Sequence, residues 1–282
     1  MNEMPIEPTL SLVGPGRAGV TIALALMTEG YRVIGVAGRS VDARSTLSAA
    51  AICNAHTRFV SEIGVGAGLV VIATPDHAIE STAVAIAEHL EPNTLVMHLA
   101  GSQTLDVFEG LLKQRDDIRV GSLHPLQTLP TASEGLDRLA GSFAAIEGDA
   151  EIEHIADLLG VVALRIDPQH RTRYHAAAVI ASNHVVALLG QVERLAKDAG
   201  VPFAAFRALV EASVENAFEM GPAGALTGPI ARGDLKTVEG HLRALDSSDR
   251  DAYRSLAREA TRLVDRRSDG IERLLDDLRR FE

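Results

Sequence analysis

The sequence predicts an α/β domain built on a parallel, doubly wound sheet over residues 1–167, followed by an all-α domain over 168–282. Three observations carry this. Short apolar runs alternate with helix-like stretches through the first part of the chain, the pattern of repeated strand–helix–strand units. That alternation stops near Pro168, and only helical periodicity follows. The first strand-like run ends in Gly14-x-Gly16-x-x-Gly19 and opens directly into a helix-like run. At that spacing one glycine turns the chain off a strand and a second lets backbone approach a pyrophosphate. The third packs helix against strand, which makes the first domain a Rossmann domain.

Taken in order, LSLV (10–13) is the first strand and 20–27 its helix. Gly30 suits a helix C-cap, and RVIGVA (32–37) is the second strand. A helix over 42–52 and a short strand at 58–60 follow. LVVIA (69–73) is unbroken apolar sequence, as a parallel strand covered on both faces requires. It ends in Thr74-Pro75-Asp76, and a helix spans 77–90. TLVMH (94–98) is a strand, and Thr104 caps a helix through 112. Strands at 118–122, 142–146 and 161–166 complete the sheet, with a helix at 149–159. Helices are expected at 170–199, 203–220, 234–245, 248–265 and 271–282, with a glycine- and proline-rich loop at 221–234.

Composition narrows the function. Hydrophobic residues make up 46% of 282, enough for a core, and no apolar run approaches the length of a membrane span. A net charge of −11 argues against nucleic acid or an anionic membrane as partner. A single cysteine, Cys53, excludes a disulfide framework and a multi-cysteine metal site. The ten histidines show no HxH or HxxxH spacing, so no metal is expected. The N-terminus lacks a signal pattern, and a cytoplasmic protein is expected.

Ligands of such sheets bind beyond the carboxyl ends of the strands. Gly14, Pro15, Gly16, Arg17, Ala18 and Gly19 are therefore the expected pyrophosphate cradle, with Thr74, Pro75 and Gly101 beside it on the same rim. An acid after the second strand would hold the ribose 2′-hydroxyl of NAD. Arg39-Ser40 stands there instead, a guanidinium and a hydroxyl fit for a 2′-phosphate, so the cofactor is expected to be NADP(H). Carbonyl reduction needs a proton donor and groups that hold the carbonyl. His124 and Gln127, in GSLHPLQT (121–128), end a strand on that rim, while Tyr174-His175 and Ser182-Asn183 lie on the long helix. At 3.6 residues per turn, His175, Ser182 and Asn183 share a broad helix face. Thr227 contributes from the glycine–proline loop, and Asp234 caps the helix after it. The catalytic candidates are His124, His175 and Asn183, and the substrate-binding candidates Ser182, Gln127 and Thr227. The apolar middle of the long helix needs more cover than its own domain offers, so a homodimer through the helical domain is expected.

GPGRAG, ATPDHAI, GSLHPLQTL, YHAAAVIASNHVVAL and ALTGPIARGD, in this order, resemble two-domain bacterial proteins with a Rossmann-like N-terminal domain and a C-terminal helical domain of unknown function. The group is similar to the 6-phosphogluconate dehydrogenase-like superfamily and to alternative-type ketopantoate reductases. The resemblance implies an NADP-dependent oxidoreductase acting on a small oxo or hydroxy acid such as 2-dehydropantoate. His175 stands where ketopantoate reductases of the usual type carry a lysine, and Asn183 where they carry an asparagine. The alternative is a redox sensor that binds NADP(H) without turnover.

Overall fold

The computed structural model describes residues 7–264. The helix expected at 271–282 lies outside the described residues. Eight strands form one sheet: β1 (Thr9–Val13), β2 (Arg32–Ala37), β3 (His56–Thr57), β4 (Leu69–Ile72), β5 (Leu95–His98), β6 (Arg119–Pro125), β7 (Phe143–Gly148) and β8 (Val162–Arg165). Their order is β3-β2-β1-β4-β5-β6-β7-β8. The chain runs outward from β1 to β3 and then crosses back to β4, so the β1/β4 gap is the switch point where such sheets bind ligands. Helices α1 (Arg17–Thr28), α2 (Arg44–Ile52), α3 (Ile79–Ile86), α4 (Glu109–Leu112), α5 (Ala132–Leu139) and α6 (Glu151–Leu158) belong to this part of the chain. Leu69 and Val71 enter one apolar cluster and Val70 and Ile72 another. Alternate side chains point to opposite faces of a strand, so an unbroken apolar run is what a strand covered on both faces needs.

Several expectations are corrected. β7 runs antiparallel to β6, with Ser122 opposite Glu147 and His124 opposite Ala145, so the sheet is not wholly parallel. That pairing extends β6 to Pro125 and puts His124 inside the strand rather than beyond it. The strand expected at 58–60 is instead the two-residue β3; Phe59 is largely exposed, so its apolar character marks no core face. Helix α5 has no counterpart in the sequence reading, although Thr131 caps it by accepting from the Glu134 N–H while Glu134 reaches back to the Thr131 hydroxyl.

The remaining helices are α7 (Arg171–Val179), α8 (Val185–Asp198), α9 (Arg207–Ala225), α10 (Gly228–Arg232), α11 (Leu235–Ala244) and α12 (Ser247–Thr261). A π-helical turn, Ile180–His184, joins α7 to α8. By length and composition alone the helix Pro168–Asp198 is long and apolar enough to cross a membrane, although Ser182, Asn183 and His184 interrupt its apolar run. The glycine–proline loop is mostly helical: α9 continues past a kink at Gly221, followed by Pro222, and α10 occupies Gly228–Arg232. Asp234 caps α11 as expected, accepting from the Thr237 N–H.

The chain divides into two compact units within the long helix. One ends at Asn183 and the other begins at His184. The first unit thus extends beyond Asp167, because the start of α7 is hydrogen-bonded to the sheet. The second has its own small core of Ile230, Val238, Leu242 and Ala257. There Arg194 pairs with Asp249 at 2.7 Å, and Gln191 donates to the Asp249 carbonyl.

Candidate active site

The glycine loop at the end of β1 is shaped by contact rather than by flexibility alone. Gly14 has φ +91°, and a Cβ there would lie 2.5 Å from the Ala73 backbone at the end of β4. A Cβ on Gly19 would meet Gly14 O at 2.7 Å and the Ala73 side chain at 2.8 Å. Both glycines therefore let β1, β4 and α1 close on one another. Gly16 differs: its φ is −84°, and a Cβ would meet nothing within 4 Å. The open space lies at the start of α1, where the first N–H groups have no partner within the helix and the dipole favours an anion. Arg17 and Ala18 supply the first of these N–H groups, and Pro15 packs against Gly38 after β2. Beside the loop, the Thr74 hydroxyl is buried with no hydrogen-bond partner. An open cradle and an orphaned hydroxyl on the β1/β4 switch point fit a dinucleotide pyrophosphate. Arg39 and Ser40 follow β2 and are both exposed. The Ser40 hydroxyl hydrogen-bonds the Asp42 carboxylate, which holds that carboxyl below its usual range.

The chemistry gathers two strands along the rim. His124, on β6, reaches the Tyr174 hydroxyl through Nδ1 at 2.9 Å, the two rings meeting edge-on. His175, the next residue on α7, meets the His124 ring at a centroid distance of 5.5 Å and 77°. Gly101, after β5, sits beneath both. A Cβ there would be 2.4 Å from His175 Nδ1 and 2.7 Å from His124 Nε2, so the two ring nitrogens converge on one spot at the carboxyl rim of the sheet. His175 Nδ1 is buried without a partner. Burial, then the facing His175 and Arg171, push His124 down to about 4, against the opposing pull of Asp76. Its imidazole is neutral near pH 7. Burial raises the Tyr174 phenol, which Arg171 opposes, so the hydroxyl keeps its proton.

His98, at the end of β5, is fully buried and accepts from the Ala100 N–H through Nδ1 at 3.2 Å. Burial first and Arg171 second push it to about 4 as well. Asp76, after β4, is bound by the Ser102 hydroxyl at 2.5 Å.

Other expected residues are not drawn into this cluster. Gln127 turns to its own loop, donating to the Arg138 carbonyl at 3.4 Å and accepting from the Thr128 N–H at 2.8 Å. Ser182 shares its hydroxyl hydrogen between the Ala178 carbonyl at 2.7 Å and Asn183 Oδ1 at 2.9 Å. Both lie in the π turn, whose wider i→i+5 winding breaks the 3.6-residue count used to align them with His175. Thr227 precedes α10 in the second unit. Sequence reasoning gave no role to Arg171, which sits one helical turn before the Tyr174-His175 pair it supports. An arginine at that i, i+3, i+4 spacing was the available signal.

Residues 5–125 match a Rossmann-like domain and residues 142–260 the domain of unknown function DUF2520. The chain joins a Rossmann-like domain to a DUF2520 domain. The resemblance to proteins that join a Rossmann-like domain to a helical domain of unknown function is thereby borne out. Among solved structures it is similar to a Bacteroides fragilis protein provisionally named an NADP oxidoreductase, with 26% identity and a TM-score of 0.79 over 90% of this chain and 98% of that one. A pyrroline-5-carboxylate reductase from Coxiella burnetii shares 18% identity and a TM-score of 0.56, over 92% and 99% of the two chains. An imine reductase from Myxococcus stipitatus, solved with NADP+, shares 17% and 0.64 over 97% and 99%. The last two likenesses concern the fold. No curated protein matches the chain. Among the described residues no group of three or more His, Cys, Asp or Glu side chains is placed to hold a metal.

Proposed function

We propose that this Rossmann-like/DUF2520 protein is an NADP(H)-dependent oxidoreductase that reduces a polarised double bond in a small molecule. The observation that carries the reading is the convergence of His124 Nε2 and His175 Nδ1 above Gly101, on the rim that also holds the glycine loop. The fold neighbours named for NADP oxidoreductase, imine reductase and pyrroline-5-carboxylate reductase activity support it. The cofactor is NADP(H), which supplies a hydride when bound. Gly16 and the N–H groups of Arg17 and Ala18 hold its pyrophosphate, and Arg39 with Ser40 holds the 2′-phosphate. His124, neutral and tied to Tyr174, donates a hydrogen bond that orients the acceptor's heteroatom. His175 would give its proton to that heteroatom, which gathers the electron pair of the double bond when the acceptor is reduced. Asn183, on the same helix as His175, is the residue that holds the acceptor.

The oxo acids implied by the ketopantoate reductase resemblance and the cyclic imines implied by the fold neighbours both fit this chemistry. NADPH oxidation followed across a panel of both, 2-dehydropantoate included, tests the reading. Turnover of at least one, lost in His175→Gln, is expected. NADPH bound with no acceptor consumed would overturn it in favour of a sensor.

The active form is a homodimer through the DUF2520 domain. Val186 on α8 and Leu209, Phe218 and Met220 on α9 stand 69%, 65%, 88% and 57% exposed, a large amount of apolar surface for one chain to leave in water. Light scattering should give about twice the 29.9 kDa chain mass, falling in a folded Val186→Asp variant. A wild-type monomer at micromolar concentration would overturn it.

A further inference from the structure

Arg171 is the largest fully buried side chain among the described residues. A guanidinium without exposure is tolerated only where its donors are taken up. Its Nε donates to Gly101 O at 3.3 Å, and Nη2 to Ala100 O at 3.3 Å and to the Ser122 hydroxyl at 2.9 Å. Nη1 donates to the Glu147 carboxylate at 3.2 Å. One side chain thus ties together the chain after β5, the middle of β6 and the end of β7. Ser122 and Glu147 are cross-strand neighbours, and Ser122 shares the sheet face of His124, two residues on. The guanidinium belongs to the first turn of α7. Tyr174 and His175 follow at i+3 and i+4, on the same side of that helix.

We propose that Arg171 is the positioning residue of this site, clamping the first turn of α7 to the segment after β5, the middle of β6 and the end of β7 so that His175 and Tyr174 meet His124 over Gly101. The proposal rests on the reductase reading, but the clamp itself is independent of turnover. Arg171 touches neither ring nitrogen at the convergence point. It holds the two things that define that point, the Ala100–Gly101 backbone beneath the rings and the helix that carries one of them. Arg is suited to this and Lys is not: four acceptors from separate segments need a rigid planar fork, and a single ammonium cannot span them. The charge has a second effect. Among the groups facing His124, Arg171 and His175 on α7 disfavour the imidazolium, while Asp76 after β4 favours it. His98 on β5 and the Tyr174 phenol complete its titratable surroundings.

Two variants test this. Arg171→Lys keeps the charge and loses the fork. Its kcat should fall roughly a hundredfold, as misplacement by about 1 Å does, with the NADPH dissociation constant within about threefold of wild type. Arg171→Met removes the charge as well, and the His124 ring, followed by NMR against a His124→Gln assignment variant, should then titrate at a higher pH than in wild type. In both variants the ring-to-ring NMR contact between His124 and His175 should weaken. A merely structural arginine would lower the melting temperature and leave kcat, the titration and the ring contact unchanged in folded protein. That result would overturn the proposal. Should Arg171→Met fail to fold, Arg171→Lys decides through kcat and the ring contact. Should wild type turn over no acceptor, the reductase reading fails while the NMR measurements still decide the clamp.

Discussion

Gly101→Ala isolates the two-imidazole arrangement with one methyl group. The φ of Gly101 lies outside the left-handed region, so alanine meets no backbone strain and the effect is steric. The new Cβ would stand 2.4 Å from His175 Nδ1 and 2.7 Å from His124 Nε2, where ordinary contact begins at 3.4 Å. Something must retreat by about 1 Å, a displacement of the kind that costs on the order of a hundredfold in rate. The backbone cannot easily do so, because Arg171 holds the carbonyls of both Ala100 and Gly101. The rings must therefore turn, and any turn that relieves the clash moves the nitrogens assigned to the chemistry. Stability should fall less than activity. Overpacking a filled core costs about 1–3 kcal/mol, and two half-buried rings that can rotate should bring the cost to the low end. The assay is NADPH oxidation with the acceptor identified from the panel, alongside thermal unfolding and NADPH binding. A folded Gly101→Ala protein with kcat within about threefold of wild type would refute the placement of the reaction above Gly101.

Three further outcomes follow from the same contacts. Gly16→Ala should leave stability within about 0.5 kcal/mol, yet weaken NADPH roughly tenfold to hundredfold by filling the pyrophosphate space. Gly14→Ala, forced against the Ala73 backbone at positive φ, should instead cost about 1–3 kcal/mol of folding free energy, so chemical denaturation and cofactor titration together separate the two glycines. Arg39→Ala should weaken NADPH about tenfold to hundredfold and leave NADH nearly unchanged, because the lost hydrogen bonds go to the 2′-phosphate alone; equal losses in fluorescence titrations would refute the assignment. His98 and His124 stay neutral down to about pH 4 in the folded chain, whereas an unfolded histidine takes up its proton near pH 6.5. Between those values the unfolded state binds more protons, so stability is full above about pH 6.5 and is lost as pH falls toward 4, by roughly 2 kcal/mol per histidine at pH 5. The loss measured by denaturation between pH 7 and 5 should be smaller in His124→Gln, and an unchanged pH dependence would contradict the buried neutral ring.

Much of the molecule was legible because its signals are local. The unbroken run at β4 announces a strand covered on both faces, since each side chain must find apolar cover. Gly14-x-Gly16-x-x-Gly19 announces its loop because close backbone approach at Gly14 and Gly19, and the space a pyrophosphate needs at Gly16, admit little else. The missing acid after β2 needs only its place in the chain to be read. What depends on distant partners could not be read. The reversed direction of β7 follows from which strand it pairs with, and it is this pairing that carries β6 on to His124 and sets Glu147 opposite Ser122. The π turn at Ile180–His184 breaks the 3.6-residue count by which a regular helix would align Ser182 and Asn183 with His175. Gln127 sits in the right motif but is satisfied by Arg138 and Thr128. Arg171 is a single charged letter in a charged stretch, indistinguishable in sequence from exposed Arg173 two positions later. Only the tertiary structure supplies the two carbonyls, the hydroxyl and the carboxylate that make its burial possible, because a buried charge is defined by the acceptors around it, and those come from the segment after β5 and from strands β6 and β7.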